Sequence, residues 1–532
     1  MRRHILFVLL PLFVAGACAP SARLPDLRAI YNQASANGEK NGDRRPLITI
    51  PGTLGSRLVD RQTGKVIWGG GGSSGISADP KDPEEYQLIA LPIVRGSEPL
   101  SSLRDTVVSE GILETAEAEV LGIPIDIDVY GEALGVLSEG GFRIDRRPSG
   151  GEARDYGIDE RIIARPRATA PVAKADSDFD SFQFDYDWRR DLIESAHRFG
   201  RFLERRRSQI ARTRGMAPEE VKFDLLAHSM GTLVSRYFLM YGFADPPDSG
   251  DLPPITWEGA KYFSRVVFVA PPNAGSVIAL DNLVNGKELG PLQPTYSGTL
   301  LASHPAAYQL MPRARHRRVL RDNTPVSDLY DVEFWDEMEW GLLAPGVDQQ
   351  LQLMMPDEVT AEGRKRRARL HTQRSLRRAE RFHQMLDRWT DPPTWLDLFL
   401  VVGGGFETPA TAEINAETRE FRITENEEGD GVVLRASALL DERQDGDLTT
   451  GFRSPLRFKT TLFLPDEHVE LTKNRVFADN LLFWLVAAPR TREELNQPVH
   501  SGLLASVADG STSPDFAQQE AARGLPVPDN DR

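Results

Sequence analysis

The chain has a single cysteine, Cys18, among 532 residues. No internal disulfide can form, so the fold must be held by burial and pairing alone. Basic residues are in deficit: the formal net charge is −15 and the pI about 5.3. A nucleic-acid partner would call for a basic surface, so none is expected. No cluster of His, Asp or Glu has metal-ligand spacing, and no segment repeats. "GGGFE" (403–407) lacks the last glycine of a dinucleotide loop, Thr408 standing in its place, and no helix pattern follows it. Neither a metal nor a cofactor is therefore expected. What is present, 40% hydrophobic residues in a long chain, suffices for a large core.

The one long apolar run opens the chain, in "MRRHILFVLLPLFVAGAC". Arg2 and Arg3 precede an apolar stretch too short to span a bilayer comfortably, and Ala15, Gly16 and Ala17 precede Cys18. This reads as a signal peptide over residues 1–17. Cys18 stands where a bacterial lipoprotein is cleaved and lipidated, which would anchor the exported chain to an envelope membrane facing the periplasm. Ala19 is compatible with the outer membrane, by resemblance to other lipoproteins. The alternative is a plain secretory signal.

Residues 18–45 are polar and read as a tether, and "GGGGSSG" (69–75) as a flexible loop. "RPLITIPG" (45–52), "DSFQFDYDWRR" (180–190), "VKFDLLA" (221–227) and "SRVVFVAPP" (264–272) read as strands. Residues 191–215 have apolar side chains at helical spacing and end in Gly215, and a second helix is expected from Met230 to Tyr241. Strands alternating with helices predict an α/β fold with a parallel sheet. Residues 46–280 form its first part. Residues 281–394, rich in Trp, Met, Pro and charge, read as a helical cap without regular strands. Residues 395–490 resume the core, with strands in "WLDLFLVVGGG" and "RFKTTLFLP", a hairpin arm in "TREFRIT" and a terminal helix in "VFADNLLFWLV". Residues 491–532 read as a loose tail.

"LLAHSMGTLV" (225–234) sets Ser229 between small residues, Ala227 and Gly231, where a strand gives way to a helix. That spacing suits a nucleophile elbow, whose tight turn admits only small neighbours; alanine replaces the first glycine of the usual G-x-S-x-G. Such an elbow needs an acid and then a histidine downstream. Of the later histidines, His316, His371 and His383 lie in Arg-rich helical stretches and His500 in the tail, and His304 also follows the serine. His468, just after the last strand, is the best-placed base. His228 is read as structural. Asp430, between two glycines, is the candidate acid; Asp441, Asp445, Asp447 and Asp466 are rivals, and a plain turn aspartate is the bland alternative. The backbone N–H groups of Met230 and of Thr53, after Pro51-Gly52, are the candidate oxyanion donors, each worth about 3 kcal/mol in such sites.

These motifs fall in a telling order: "IPGTLGSRL" (50–58), "YDWRR" (186–190), "AHSMG" (227–231), "APPNAGS" (270–276), "SHPAAYQLMP" (303–312), "GDGVV" (429–433) and "EHVEL" (467–471). Together they resemble the lecithin:cholesterol acyltransferase family, which includes lysosomal phospholipase A-type enzymes and phospholipid:diacylglycerol acyltransferases, over about residues 46–490. The resemblance implies an α/β-hydrolase core with a cap and lid over a lipid site. It implies Ser229 as nucleophile, Asp430 as acid, His468 as base and Thr53 at the oxyanion position. Val432-Val433 replaces the family's usual Thr-Val, and the lid disulfide of animal members cannot form. The expected function is an O-acyltransferase or phospholipase A-type acyl hydrolase acting on lipid esters through an acyl-Ser229 intermediate. The alternatives are a lipase or esterase on neutral or polyester substrates, and an inactive hydrolase-fold scaffold. "EGRKRRARLHTQRSLRRAERFHQML" (362–386) reads as a solvated cap helix, or as a contact for anionic lipid headgroups. "YDWRR" reads as structural, with a contribution to the acyl-binding side as the alternative.

Overall fold

A computed structural model describes residues 24–32, 44–70, 77–96, 98–120, 123–149, 179–289, 294–316, 318–443 and 451–488. The expected signal peptide, Cys18, most of the glycine-rich loop and the expected tail 491–532 lie outside these residues.

The core is a seven-stranded sheet of β1 (Leu47–Ile50), β2 (Ile144–Asp145), β3 (Ser181–Gln183), β4 (Phe223–His228), β5 (Phe263–Val269), β6 (Asp397–Gly403) and β7 (Thr460–Leu464), in the order β7-β6-β5-β4-β1-β3-β2. Every pairing is parallel. The central strands β1 and β4 are buried at every position, as a sheet covered on both faces requires. Helix α1 (Leu192–Arg214) starts at the N-cap Asp191 and ends on left-handed Gly215, and α2 (Met230–Tyr241) follows β4 directly. The expected strands around 47, 223, 263, 397 and 460 and both helices are where the pattern put them.

Four expectations need correction. "DSFQFDYDWRR" forms a strand only over Ser181–Gln183, because Asp187 turns the chain: its carboxylate accepts the Arg189 N–H and its carbonyl the Arg190 N–H. The alternating aromatics do not mark one buried face, since residues 180–191 are all buried. Residues 18–45 are not all tether. Residues 27–32 are helical, Leu27 and Tyr31 are buried, and the Tyr31 hydroxyl donates to the Asp479 carbonyl on helix Arg475–Leu482. The span 281–394 is mainly helical but does hold strands: Val319–Arg321 joins a second sheet with Thr324–Pro325, Phe406–Ile414 and Phe421–Gly429. The last two form a hairpin grown from the end of β6, so the cap is tied to the second part of the core.

The basic segment is the fourth. Helix α3 (Ala361–Leu386) is solvated on one side only: Lys365, Arg366 and Arg377 are exposed, whereas Ala368, His371, Leu376, Ala379, Phe382, His383, Met385 and Leu386 are buried in a broad face. Several of its arginines act as staples to neighbouring segments. Arg378 pairs with Asp191 at 2.8 Å and Asp245 at 2.6 Å, and Arg364 with Asp348 at 2.5 Å. Arg367 donates to the Ile93 and Val94 carbonyls, and Arg381 to those of Pro247 and Gly250. Guanidinium groups so engaged are withdrawn from a lipid headgroup role. The C-terminal end of α3 sits on α2, where Arg236 and Tyr241 donate to the Leu386 and Met385 carbonyls.

"YDWRR" is a buried lattice. Arg189, with no exposed surface, forks onto Asp187 at 2.7 Å and Asp105 at 2.8 Å, and donates to the Leu88 carbonyl. Removing one member of such a network strands the others. Arg189→Met is expected to lower unfolding free energy by about 3–5 kcal/mol in urea titration; a loss below about 1 kcal/mol would contradict this role.

His304 lies buried between this lattice and the cap, donating from Nε2 to the Ile89 carbonyl at 3.0 Å. Burial, and then the Arg189 charge, push it down to about 3. The unfolded imidazole takes a proton near pH 6.5, which the folded one refuses until near pH 3. Stability is therefore whole above pH 6.5 and lost as pH falls, by about 2 kcal/mol at pH 5 from this residue. In His304→Gln the amide still donates to Ile89 but does not titrate. Its thermal stability relative to wild type should improve between pH 7.5 and 5; a pH-independent difference would refute the assignment.

Candidate active site

Ser229 occupies the turn between β4 and α2 with φ 51° and ψ −127°, a left-handed conformation that costs a non-glycine residue about 1–3 kcal/mol. Three bonds hold it there. Its N–H donates to the Val269 carbonyl at 2.9 Å, and its carbonyl accepts from the Thr232 N–H at 2.9 Å and the Thr232 hydroxyl at 2.6 Å. The small neighbours are explained by contact. A Cβ on Gly231 would lie 2.3 Å from the Pro51 carbonyl oxygen, and one on Gly52 would lie 2.7 Å from the Ser229 Cβ. Glycine at these two places lets the loop after β1 lie against the elbow. Ala227 is fully buried in β4, opposite Ile50 and Phe268.

His468 Nε2 lies 2.8 Å from Ser229 Oγ, and its Nδ1 lies 2.8 Å from Asp430 Oδ2. A carboxylate accepts, so Nδ1 carries the proton and bare Nε2 accepts from the serine hydroxyl. Asp430 Oδ1 accepts the N–H groups of Val432 at 3.0 Å and Val433 at 2.7 Å, and the Asp430 carbonyl accepts the His468 N–H at 2.9 Å. Burial would raise the Asp430 carboxyl, but His468 and the two backbone donors outweigh it and hold the group below the usual carboxylate range. Asp430 closes the hairpin that leaves β6, so it returns beside the strand end. A Cβ on Gly403, the first glycine of "GGGFE", would lie 2.5 Å from that of Asp430, so glycine there admits the close approach.

Thr53 sits in a turn closed by Gly55 N–H donating to the Gly52 carbonyl, and its hydroxyl lies 3.3 Å from the Met230 sulfur. Among the described residues no hydrogen bond claims the Thr53 N–H. Met230 is the first residue of α2, where helix N–H groups lack internal acceptors. Met230 adjoins the serine in the chain, and Thr53 follows Gly52, where a Cβ would lie 2.7 Å from that of Ser229.

The rivals are engaged elsewhere. Asp466 accepts from Asn474, and Asp441 pairs with Arg443. Asp445, Asp447 and His500 lie outside the described residues. His316 faces Glu442, while His371 and His383 are buried in the core of the cap rather than solvated. His228 is buried against His468, ring centroids 5.0 Å apart. Tyr130, beside it, carried no sequence signal. Among the described residues no group of side chains is arranged to hold a metal ion.

A parallel sheet with a strained serine at a central strand–helix turn defines an α/β-hydrolase fold. The model of the lecithin:cholesterol acyltransferase family matches residues 178–423, so the family named from the motifs is the one the comparison finds. The matched span contains Ser229 and Met230 and ends short of Asp430 and His468. It supports an acyltransferase or lipid hydrolase. No curated protein matches the chain. Among solved structures it is similar to a chain of the Tle4–Tli4 complex, at 14% identity and TM-score 0.48, over 83% of this chain and 98% of that one.

Asp430→Asn keeps the shape and destroys the charge, which favours the wrong imidazole tautomer. The expected loss is about 10⁴ in kcat with little change in melting temperature. A loss under tenfold in esterase assays would remove Asp430 from the site.

Proposed function

We propose that the chain is a serine-dependent O-acyltransferase or phospholipase A-type acyl hydrolase of lipid esters. The observation that carries this reading is the unbroken line Ser229–His468–Asp430, two bonds of 2.8 Å on a strained elbow. In the first half-reaction His468 Nε2 takes the Ser229 proton as Oγ attacks the ester carbonyl. Asp430 stabilises the imidazolium, and the Thr53 and Met230 amides receive the oxyanion. The C–O bond to the leaving alcohol breaks as His468 returns the proton to it, leaving acyl-Ser229. A water or an alcohol, deprotonated by His468, then removes the acyl group by the same steps in reverse. Both acceptors use one set of groups, so the balance between them rests on how well the cap excludes water.

The proposal includes export and lipid anchoring at Cys18, supported by the pattern of residues 1–18. Among the described residues no helix is long and apolar enough to cross a membrane.

The test is product analysis on vesicles of acyl-labelled phospholipid, with and without a long-chain alcohol or sterol. Wild type should release acyl product, and Ser229→Ala should lose at least about 10³-fold. Free fatty acid alone identifies a phospholipase, and a new ester identifies a transferase. Equal activity of the two proteins would overturn the proposal. Activity confined to neutral esters would shift it to a lipase or esterase.

A further inference from the structure

Four polar groups form a second line beside the first. The Gly52 N–H donates to the Tyr130 hydroxyl at 2.8 Å, the Tyr130 hydroxyl meets His228 Nδ1 at 2.7 Å, and His228 Nε2 meets the His468 carbonyl at 3.1 Å. The direction of every bond is fixed. A carbonyl only accepts, so His228 Nε2 bears a proton; in the neutral ring Nδ1 is then bare and accepts from the tyrosine, whose lone pair accepts from Gly52. One tautomer satisfies the whole line. Burial, and then the neighbouring His468, push His228 down to about 3, with the Asp430 charge opposing, so the ring is neutral at any working pH. Burial also keeps the Tyr130 hydroxyl protonated. A charged His228 would turn an N–H toward Tyr130 and break the sequence of donors.

The ends of this line are informative. Gly52 precedes Thr53 on the loop after β1; the His468 carbonyl belongs to the base itself, on the loop after β7. The two loops stand on either side of Ser229 and share no strand, since β1 and β7 are four places apart in the sheet. Tyr130 enters from a third direction, at the start of the helix Gly131–Glu139, and packs edge-on against His228 with centroids 5.6 Å apart. The Tyr186 hydroxyl pins the same loop one residue earlier, at the Pro51 carbonyl.

We propose that Tyr130 and His228 are positioning residues for the reaction: a fixed-polarity bridge that sets the oxyanion loop and the base loop at one spacing across Ser229. This rests on the reading of Ser229 and His468 given above. Neither residue touches substrate. The bridge acts on the Thr53 amide and on His468 together, so breaking it slows the chemical step without weakening ground-state binding.

The test uses the full chain and hydrolysis of 4-nitrophenyl butyrate, with melting temperatures to verify folding. Tyr130→Phe removes the central hydroxyl. It should lower kcat about tenfold or more with KM within twofold. His228→Asn keeps an acceptor toward Tyr130 and loses the donor to His468; His228→Gln does the reverse. Each should lose part of what His228→Leu loses. The double variant Tyr130→Phe/His228→Leu should be no slower than the worse single one, because one bridge cannot be broken twice. If Tyr130→Phe does not fold, His228→Asn carries the same comparison. Folded variants with wild-type kcat, or losses that multiply in the double variant, would overturn the bridge. Ser229→Ala separates the two failures. If it is inert while the bridge variants are fully active, only the bridge falls; if it is as active as wild type, the reading of the site falls and the bridge with it.

Discussion

The left-handed backbone of Ser229 is the constraint around which the rest is arranged. A residue held at φ 51° persists only where its surroundings over-determine it. Here β5 supplies the Val269 carbonyl and α2 supplies Thr232, so the sheet and the helix each grip one side of the turn. The loop after β1 closes on the turn because Gly52 and Gly231 have no side chains to obstruct it. The strain is offset by the large buried core of β1, β4 and α2 beneath it.

The parallel sheet brings the remaining parts to the same edge. Thr53, Ser229 and His468 all follow the C-terminal ends of sheet strands, and Asp430 returns to the end of β6 after its hairpin. Parallel strands put all those ends on one side, which is why ligands of open α/β sheets bind there. The stretches that depart from the sheet are then free to build elsewhere. The cap is secured by guanidinium groups rather than by disulfides. Arg378 on Asp191 joins it to the start of α1, and Arg189 on Asp105 and Asp187 holds the layer beneath. A chain with one cysteine and many arginines has found its cross-links in charge.

The parts legible in the sequence were those with a local cause. Buried strands of β-branched residues, a helix ending at Gly215 and a serine between small residues are set by neighbours a few positions away. Asp430 and His468 could be chosen by their order along the chain and their place after strands. The stapling of α3 was not legible, because many of its partners are carbonyls and carboxylates more than 100 residues distant, such as Asp191 and Val94. A run of arginines looks solvated when those partners are unseen. Nor could the alternating aromatics of 182–188 report that both of their faces are covered. The hairpin Phe406–Ile414 with Phe421–Gly429 was half seen, since exposed glutamates along its second strand obscure the pairing. Tyr130 is a single residue whose value lies in contacts 78 and 98 positions away.

The central claim is that Ser229 is an activated nucleophile. It is tested most directly by treating the folded protein with a fluorophosphonate probe and mapping the adduct by peptide mass spectrometry. The account predicts one covalent adduct, on Ser229, whose formation slows by orders of magnitude in His468→Ala. An unlabelled folded protein, or an adduct that forms equally fast without His468, would contradict it.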